Sequence, residues 1–335
     1  MSGGPRKYFT EAALLLVTKD SVLFRPGMLP HLDKAPELTK SILETASIYL
    51  VCSRVRVRID PSTLTRSGDD LTFDLVLDSE SGTTRKSSIG QNFFTAIPNV
   101  EDVRIHETIP FYVQLLDRHD NDAGSFPVDA FIREDDFAES QLENYEVLYV
   151  GQSNPDKSTG NIVSRLANHS TIQRILADYH ANVPHREVFI MCFELDEPRT
   201  IMSMDPFAKV EIDDDRDIEH MALTVESCPS DAQLTSLAEA CFIRFFQPKY
   251  NRLLKNSFPS TNLKMLSSCY DLDYNAIVAE IDSEDIFARL YSEAAPPRFH
   301  HIVPVDLHSL EDRMSFFQIS LDRDGNRTPR WEEQP

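Results

Sequence analysis

Glu146-Val147-Leu148-Tyr149-Val150-Gly151-Gln152-Ser153 decides the reading of this chain, together with two later pieces. These are Ile162-Val163-Ser164-Arg165-Leu166-Ala167-Asn168-His169 and the run from Glu239 through Pro248-Lys249-Tyr250-Asn251. Residues 146–150 form a short β-prone run that stops at Gly151. Residues 154–160 read as a loop and a helix starts near Asn161. A second helix carries Ile172, Ile175, Leu176 and Tyr179 at helical spacing, and residues 187–195 form the next strand. Ser230-Asp231-Ala232-Gln233 has the Ser-x-x-Gln capping pattern. The helix behind it lines up Leu234, Leu237, Ala238, Cys241, Phe242 and Phe245, with Glu239 beside that apolar face, until Pro248 ends it.

The three pieces bring a phenol, a guanidinium, an imidazole, a carboxylate and a carboxamide in fixed order. Phosphodiester hydrolysis needs a deprotonated water, a counter to the extra charge on phosphate, and a stabilised leaving oxygen. Tyr149 ends a strand just before a glycine, where a hydroxyl can face solvent. Arg165 offers a planar fork of donors to phosphate oxygens. Glu239 is a hard oxygen ligand suited to one Mg2+ (or Mn2+) that keeps most of its waters. His169, four residues after Arg165, is expected on the same helix face, where it contacts phosphate or shuttles a proton. Singly, each residue has a plainer role: strand-end packing for Tyr149, a surface ion pair for Arg165, a flank of the core for Glu239.

In this order the motifs resemble the GIY-YIG nuclease family. Tyr149-Val150-Gly151 with Ser153 matches the family's Tyr-Ile-Gly-x-Ser/Thr, and Arg165-Leu166-x-x-His169 matches its Arg-Leu-x-x-His. Glu239 with Pro248-Lys249-Tyr250-Asn251 matches the Glu-bearing helix and its Pro-x-x-Asn. The likeness covers residues 145–251, under a third of the chain. It implies a small three-stranded antiparallel sheet with flanking helices. Tyr149 would position or deprotonate the attacking water, Arg165 would hold the scissile phosphate, Glu239 the metal and Asn251 the architecture. Gly151 would allow close backbone approach. The family's first strand, Gly-Ile-Tyr, normally lies about ten residues before the second, and no such tripeptide stands there. Tyr112 and Tyr145 are the nearest candidates for its tyrosine; otherwise that tyrosine is replaced.

The remainder of the chain sets bounds. It has 335 residues, 41% hydrophobic and 26% charged, a globular composition long enough for two or three domains. No apolar run reaches the ~20 residues of a membrane helix, and residues 1–7 lead into no secretory signal. The five cysteines show neither CxxC nor zinc spacing and read as reduced thiols of a cytoplasmic protein. The net charge of −21 argues against nucleic acid. Its distribution is uneven, though. Residues 240–270 carry five bases and no acid, whereas residues 196–232, which read as an insertion, carry eleven acids against three bases. Lys249, Arg252, Lys255 and Lys264 in the basic strip are expected to follow a nucleic-acid backbone.

Residues 1–139 read as a β-rich domain that C-terminal strands complete. Residues 12–17 and 21–24 flank Lys19-Asp20 as a hairpin, and a short helix follows at 35–45. Further strands are expected at 47–52, 55–59, 71–77 and 109–116. The row Arg54, Arg56 and Arg58 reads as the wet face of a sheet. The loop 117–124 mimics the start of a calcium loop without its spacing. A nuclease-like domain at 140–260, an α/β segment at 261–322 and a loose tail at 323–335 follow. In the third segment, strands at 276–281, 301–305 and 316–321 bracket a short helix at 283–291. Asp213-Asp214-Asp215 and His300-His301 read as solvated charge and a weak metal pair.

The fold class is therefore α+β. The leading reading is an Mg2+-dependent endonuclease with nucleic acid, DNA favoured, as substrate, and with a protein partner or substrate contact through the N-terminal domain. One rival is a GIY-YIG-like binding module without catalysis. Another is an acidic protein that occupies a basic partner.

Overall fold

The computed structural model describes residues 8–67, 70–77, 100–106, 111–127, 141–153, 162–204, 214–227, 229–259 and 264–307. In chain order they form β1 (Thr10–Phe24), α1 (Glu37–Thr45), β2 (Ile48–Val55), β3 (Val57–Ser67), β4 (Asp70–Leu77), β5 (Val100–Ile105), β6 (Tyr112–Asp117) and β7 (Asp122–Pro127). Then come β8 (Asn144–Gln152), α2 (Ile162–Ala167), α3 (Ser170–Asn182), β9 (Arg186–Leu195), β10 (Arg199–Met204), α4 (Asp214–Glu226) and α5 (Asp231–Phe246). The last are α6 (Ser267–Asp271), β11 (Ala276–Asp282), β12 (Arg289–Tyr291) and β13 (His300–Asp306). Two compact units result, one of Met1–Cys52, Val147–Ser170 and Phe189–Pro335, the other of Ser53–Glu146 and Thr171–Val188. They cut across the sequential division at 139/140 and 260/261.

The first unit is organised on an eight-stranded mixed sheet of order β12-β8-β2-β9-β1-β11-β13, with β10 also paired to β1. β2 sits inside the sheet because residues 48–52 are apolar without alternation, and all five are fully buried. β1 is one strand, not the hairpin expected around Lys19-Asp20. Its first half pairs with β10 and, in parallel, with β11; its second half pairs with β9. The turn-like dipeptide falls where the register slips between Thr18 and Ser21, so the signal of a turn is spent on a bulge. β11 continues to β13 in antiparallel register. The C-terminal strands thus do join an N-terminal strand, in the same sheet that holds β8 and β9. Among the described residues, those of 145–251 form no separate three-stranded sheet of the kind expected: β8 and β9 flank β2 within the large one.

α5 packs against this unit for the reason its sequence gives. Gln233 reaches back to accept the N–H of Ser230 at 3.1 Å, closing the first turn. Leu234, Leu237, Ala238, Cys241, Phe242 and Phe246 are buried. At roughly 1.5–3 kcal/mol per large side chain, that face anchors the helix, and Phe242→Ala would cost about 3–5 kcal/mol. Gln247 ends the helix with positive φ, and Pro248 follows. The acidic stretch 196–232 is no mere insertion. It supplies β10 and α4, whose Asp217 accepts from the backbone and hydroxyl of Thr10 at 3.2 and 3.0 Å. The helix expected at 283–291 is instead a tight turn, with Ala288 N donating to Ser283 O and Phe287 at positive φ, which runs into β12.

In the second unit β3 and β4 form a hairpin, and β5-β6-β7 make a small three-stranded antiparallel sheet. Arg54 is not on a wet face. It is buried, pairs with Glu187 at 3.0 Å and donates to the Tyr145 hydroxyl at 3.0 Å. Asp117, at the β6–β7 turn, accepts from the side chain of Asn121 and from the backbone of Asn121 and His119, which holds it below the usual carboxylate range. The strand expected at 316–321, the loop 154–160 and the tail lie outside the described residues. Among the described residues no helix is long and apolar enough to cross a membrane, and Cys52, Cys192, Cys241 and Cys269 are buried and form no disulfide.

Candidate active site

β8 carries Tyr149 and Gly151 alongside β2, and the two strands are tied at their ends by Ser153 N donating to Ser47 O at 2.7 Å. The side chain that packs across Gly151 is Tyr49. A Cβ at Gly151 would come within 2.5 Å of the Tyr49 hydroxyl and 2.9 Å of the Tyr149 ring. Only glycine leaves room for both phenols there. Tyr49 was not singled out in the sequence. Tyr112 lies on β6 in the second unit, and Tyr145 is occupied by Arg54. The phenol next to Tyr149 comes from Ser47-Ile48-Tyr49, about a hundred residues upstream. A small residue, an isoleucine and a tyrosine in a buried strand were the available signal.

Tyr49, Tyr149 and His169 form an aromatic triangle. Ring centroids are 6.1 Å apart for the two tyrosines, 6.0 Å for Tyr49 and His169, and 5.4 Å for Tyr149 and His169. His169 is not on the helix of Arg165 as expected. α2 ends at Ala167, and His169 sits in the short joint before α3, its N–H on Leu166 O at 3.3 Å. Arg165, exposed in the last turn of α2, lies within electrostatic reach of Tyr49, Tyr149, His169 and Glu239. Glu239 is held from β8. Gln152 brings both its backbone N–H and its carboxamide within hydrogen-bonding reach of the carboxylate, while Ser236, one turn earlier on α5, donates to Gln152 Oε1 at 3.1 Å.

Burial governs the proton affinities. Glu239 is pushed up to about 7 by burial, against the pull of Arg165 and Gln152. Burial likewise raises Tyr49 and Tyr149, Tyr49 well beyond the ordinary phenol range, so both stay protonated donors at neutral pH. His169 is lowered by burial and by Arg165 and is neutral at pH 7. Its Nδ1 is buried without a partner. The Tyr49 hydroxyl is also buried; Arg165 and Tyr149 approach it without the alignment of a formed hydrogen bond.

Asn251 holds β8 from outside the sheet, accepting Val150 N–H and donating to Val150 O at 2.9 and 2.8 Å. Among the described residues no group of three His, Cys, Asp or Glu could hold an ion. A cation here would rest on Glu239 and keep most of its waters, which is how Mg2+ is commonly bound. The partly buried carboxylate, with Arg165 as its cationic neighbour, fits that donor set. Of the four basic candidates, Lys249, Arg252 and Lys264 are exposed. Lys255 instead donates to Gln247 O at 3.0 Å and closes the loop after α5. His300 turns to Glu280 and His301 to Leu290 O, so the adjacent histidines do not converge. Asp213 lies outside the described residues, and Asp215 is exposed on α4.

The chain matches no protein-family model, no curated protein and no solved structure.

Proposed function

We propose that this protein is a metal-dependent endonuclease of the GIY-YIG type, acting on phosphodiester bonds of nucleic acid, with DNA the favoured substrate. The observation that carries this reading is convergence. Residues spread from 49 to 251 meet in one unit, with a guanidinium, a carboxylate, two phenols and a neutral imidazole around one point. Tyr49 on β2 supplies the phenol that the segment 145–251 lacks, so Ser47-Ile48-Tyr49 stands for the family's Gly-Ile-Tyr.

In this reading Arg165 presents its donor fork to the non-bridging phosphate oxygens, meeting charge as it develops. Tyr49 and Tyr149, kept protonated, orient the attacking water by donating or accepting hydrogen bonds. Neutral His169 takes the proton as the water oxygen bonds to phosphorus and the bond to the leaving sugar oxygen breaks, the departing alkoxide taking its proton from solvent. Glu239 would hold Mg2+ (or Mn2+), which when bound would supply charge neutralisation at the phosphate. Lys249, Arg252 and Lys264 follow the backbone in a sequence-independent way, and the cytoplasm is the expected compartment.

The net charge of −21 favours a second reading, a nucleic-acid or protein binding module on the same scaffold without catalysis. Nicking of supercoiled plasmid with Mg2+ decides between them. The nuclease reading expects cutting by the wild type and none by Glu239→Ala; equal cutting by both, or by neither, favours the binding module.

A further inference from the structure

Glu239 does not hold itself in place. It comes from α5, whereas the groups it faces come from β8, β2 and α2. The tie between them is Gln152, one residue past Gly151 on β8, which is bonded to Ser236 on α5 and has its backbone N–H and its carboxamide within hydrogen-bonding reach of the Glu239 carboxylate. A primary carboxamide can present either end. Ser236 donates its hydroxyl to Gln152 Oε1 at 3.1 Å while also lying 2.8 Å from Ala232 O. With the oxygen end of the carboxamide on Ser236, the N–H end is left for Glu239. Ser236 and Glu239 lie three residues apart on one helix face, so Gln152 is gripped by both and bridges strand to helix.

We infer that Gln152, oriented by Ser236, is the positioning residue that aims the Glu239 carboxylate for a divalent cation. This rests on the nuclease reading. A carboxylate has about four lone-pair sites. The two N–H groups of Gln152 take part of that capacity and fix the plane of the rest, so an ion meets a single pre-set oxygen direction. Hydrogen-bond partners of a metal ligand contribute in this way, and their loss typically weakens metal binding about 10- to 100-fold.

Mn2+ binding to the full chain, followed by the paramagnetic signal of the free ion, tests this without any cleavage. The site in question is the one lost in Glu239→Gln; acidic surface binding common to both proteins is subtracted. Gln152→Met, which keeps length and removes the donor, is expected to weaken that site at least tenfold while the thermal midpoint stays within a few degrees. Ser236→Ala leaves Gln152 in place and is expected to weaken it in the same direction by a smaller factor. Unchanged Mn2+ affinity in a folded Gln152→Met overturns the inference. Should that variant fail to fold, Ser236→Ala decides by the same criterion. If Glu239→Gln loses no Mn2+ site at all, the assignment of Glu239 as metal ligand falls instead, and with it the nuclease reading.

Discussion

The carboxamide of Asn251 pairs with both ends of residue 150: Val150 N–H donates to its Oδ1 at 2.9 Å, and its Nδ2 donates to Val150 O at 2.8 Å. A side chain thus does the work of a neighbouring strand between Tyr149 and Gly151. Asn251→Ala leaves a buried N–H and a buried carbonyl unmatched, and the expected loss is about 1–3 kcal/mol in urea unfolding. Asn251→Asp keeps the acceptor alone and is expected to be no better. Wild-type stability in Asn251→Ala would contradict the clamp.

Gly151→Ala puts a methyl into the space of two phenols. Tyr49 and Tyr149 must both shift, at about 1–3 kcal/mol of stability. Plasmid nicking is expected to fall roughly 100-fold, the loss typical of a misplacement near 1 Å. Full activity in this variant would mean that the phenols do not face the reacting phosphate.

Arg165→Lys keeps the charge and removes the fork. Turnover is expected to drop roughly 100- to 1,000-fold, the usual cost of one lost transition-state donor, while DNA retention without metal changes little. Gel shift and single-turnover cleavage on the same preparation separate the two.

Glu239 is raised from 4.5 to about 7 by burial. Between those values the folded chain holds a proton that the unfolded chain has released, so this residue's contribution to stability is full below about pH 4.5 and is lost as pH rises through about 7. Glu239→Gln removes that loss. Metal-free urea unfolding is expected to show nearly equal stability at pH 4.5 and a variant more stable by about 3 kcal/mol at pH 8. A gap that does not change with pH would refute the burial argument.

Lys249→Ala and Arg252→Ala remove exposed cations. Each is expected to lower the slope of log affinity against log salt by about one. Lys255→Ala is expected to leave that slope unchanged and to loosen the loop closed on Gln247, read as faster proteolysis after α5.

Most members of the candidate site were legible as neighbours because Tyr149, Arg165, His169, Glu239 and Asn251 fall in one contiguous segment with its own periodicity. Tyr49 escaped because spacing along the chain says nothing about strand neighbours: β2 meets β8 only across the sheet, and the second unit's chain intervenes. The same non-local pairing hid β1. Its Lys19-Asp20 has turn chemistry, yet β9, β10 and β11 hold the strand extended on both sides of the register slip. Arg54 looked like one of an alternating exposed row, while Glu187 and Tyr145, distant in sequence, draw it inside. Local signals with local causes, such as the Ser230–Gln233 cap and the end of α5 at Pro248, carried over directly.

Ala13 lies beside Ala276 in a parallel ladder, which sets a schedule for making this protein. On the ribosome, β1 emerges long before its parallel partner β11 has been translated, so the side of β1 that β11 covers stays open until Ala276–Asp282 has been made. Such long-range closure is slow and leaves unpaired edges open in the meantime. Newly made chains should therefore be chaperone clients, and removal of residues 10–24, which strips β9, β10 and β11 of a partner, should abolish soluble expression.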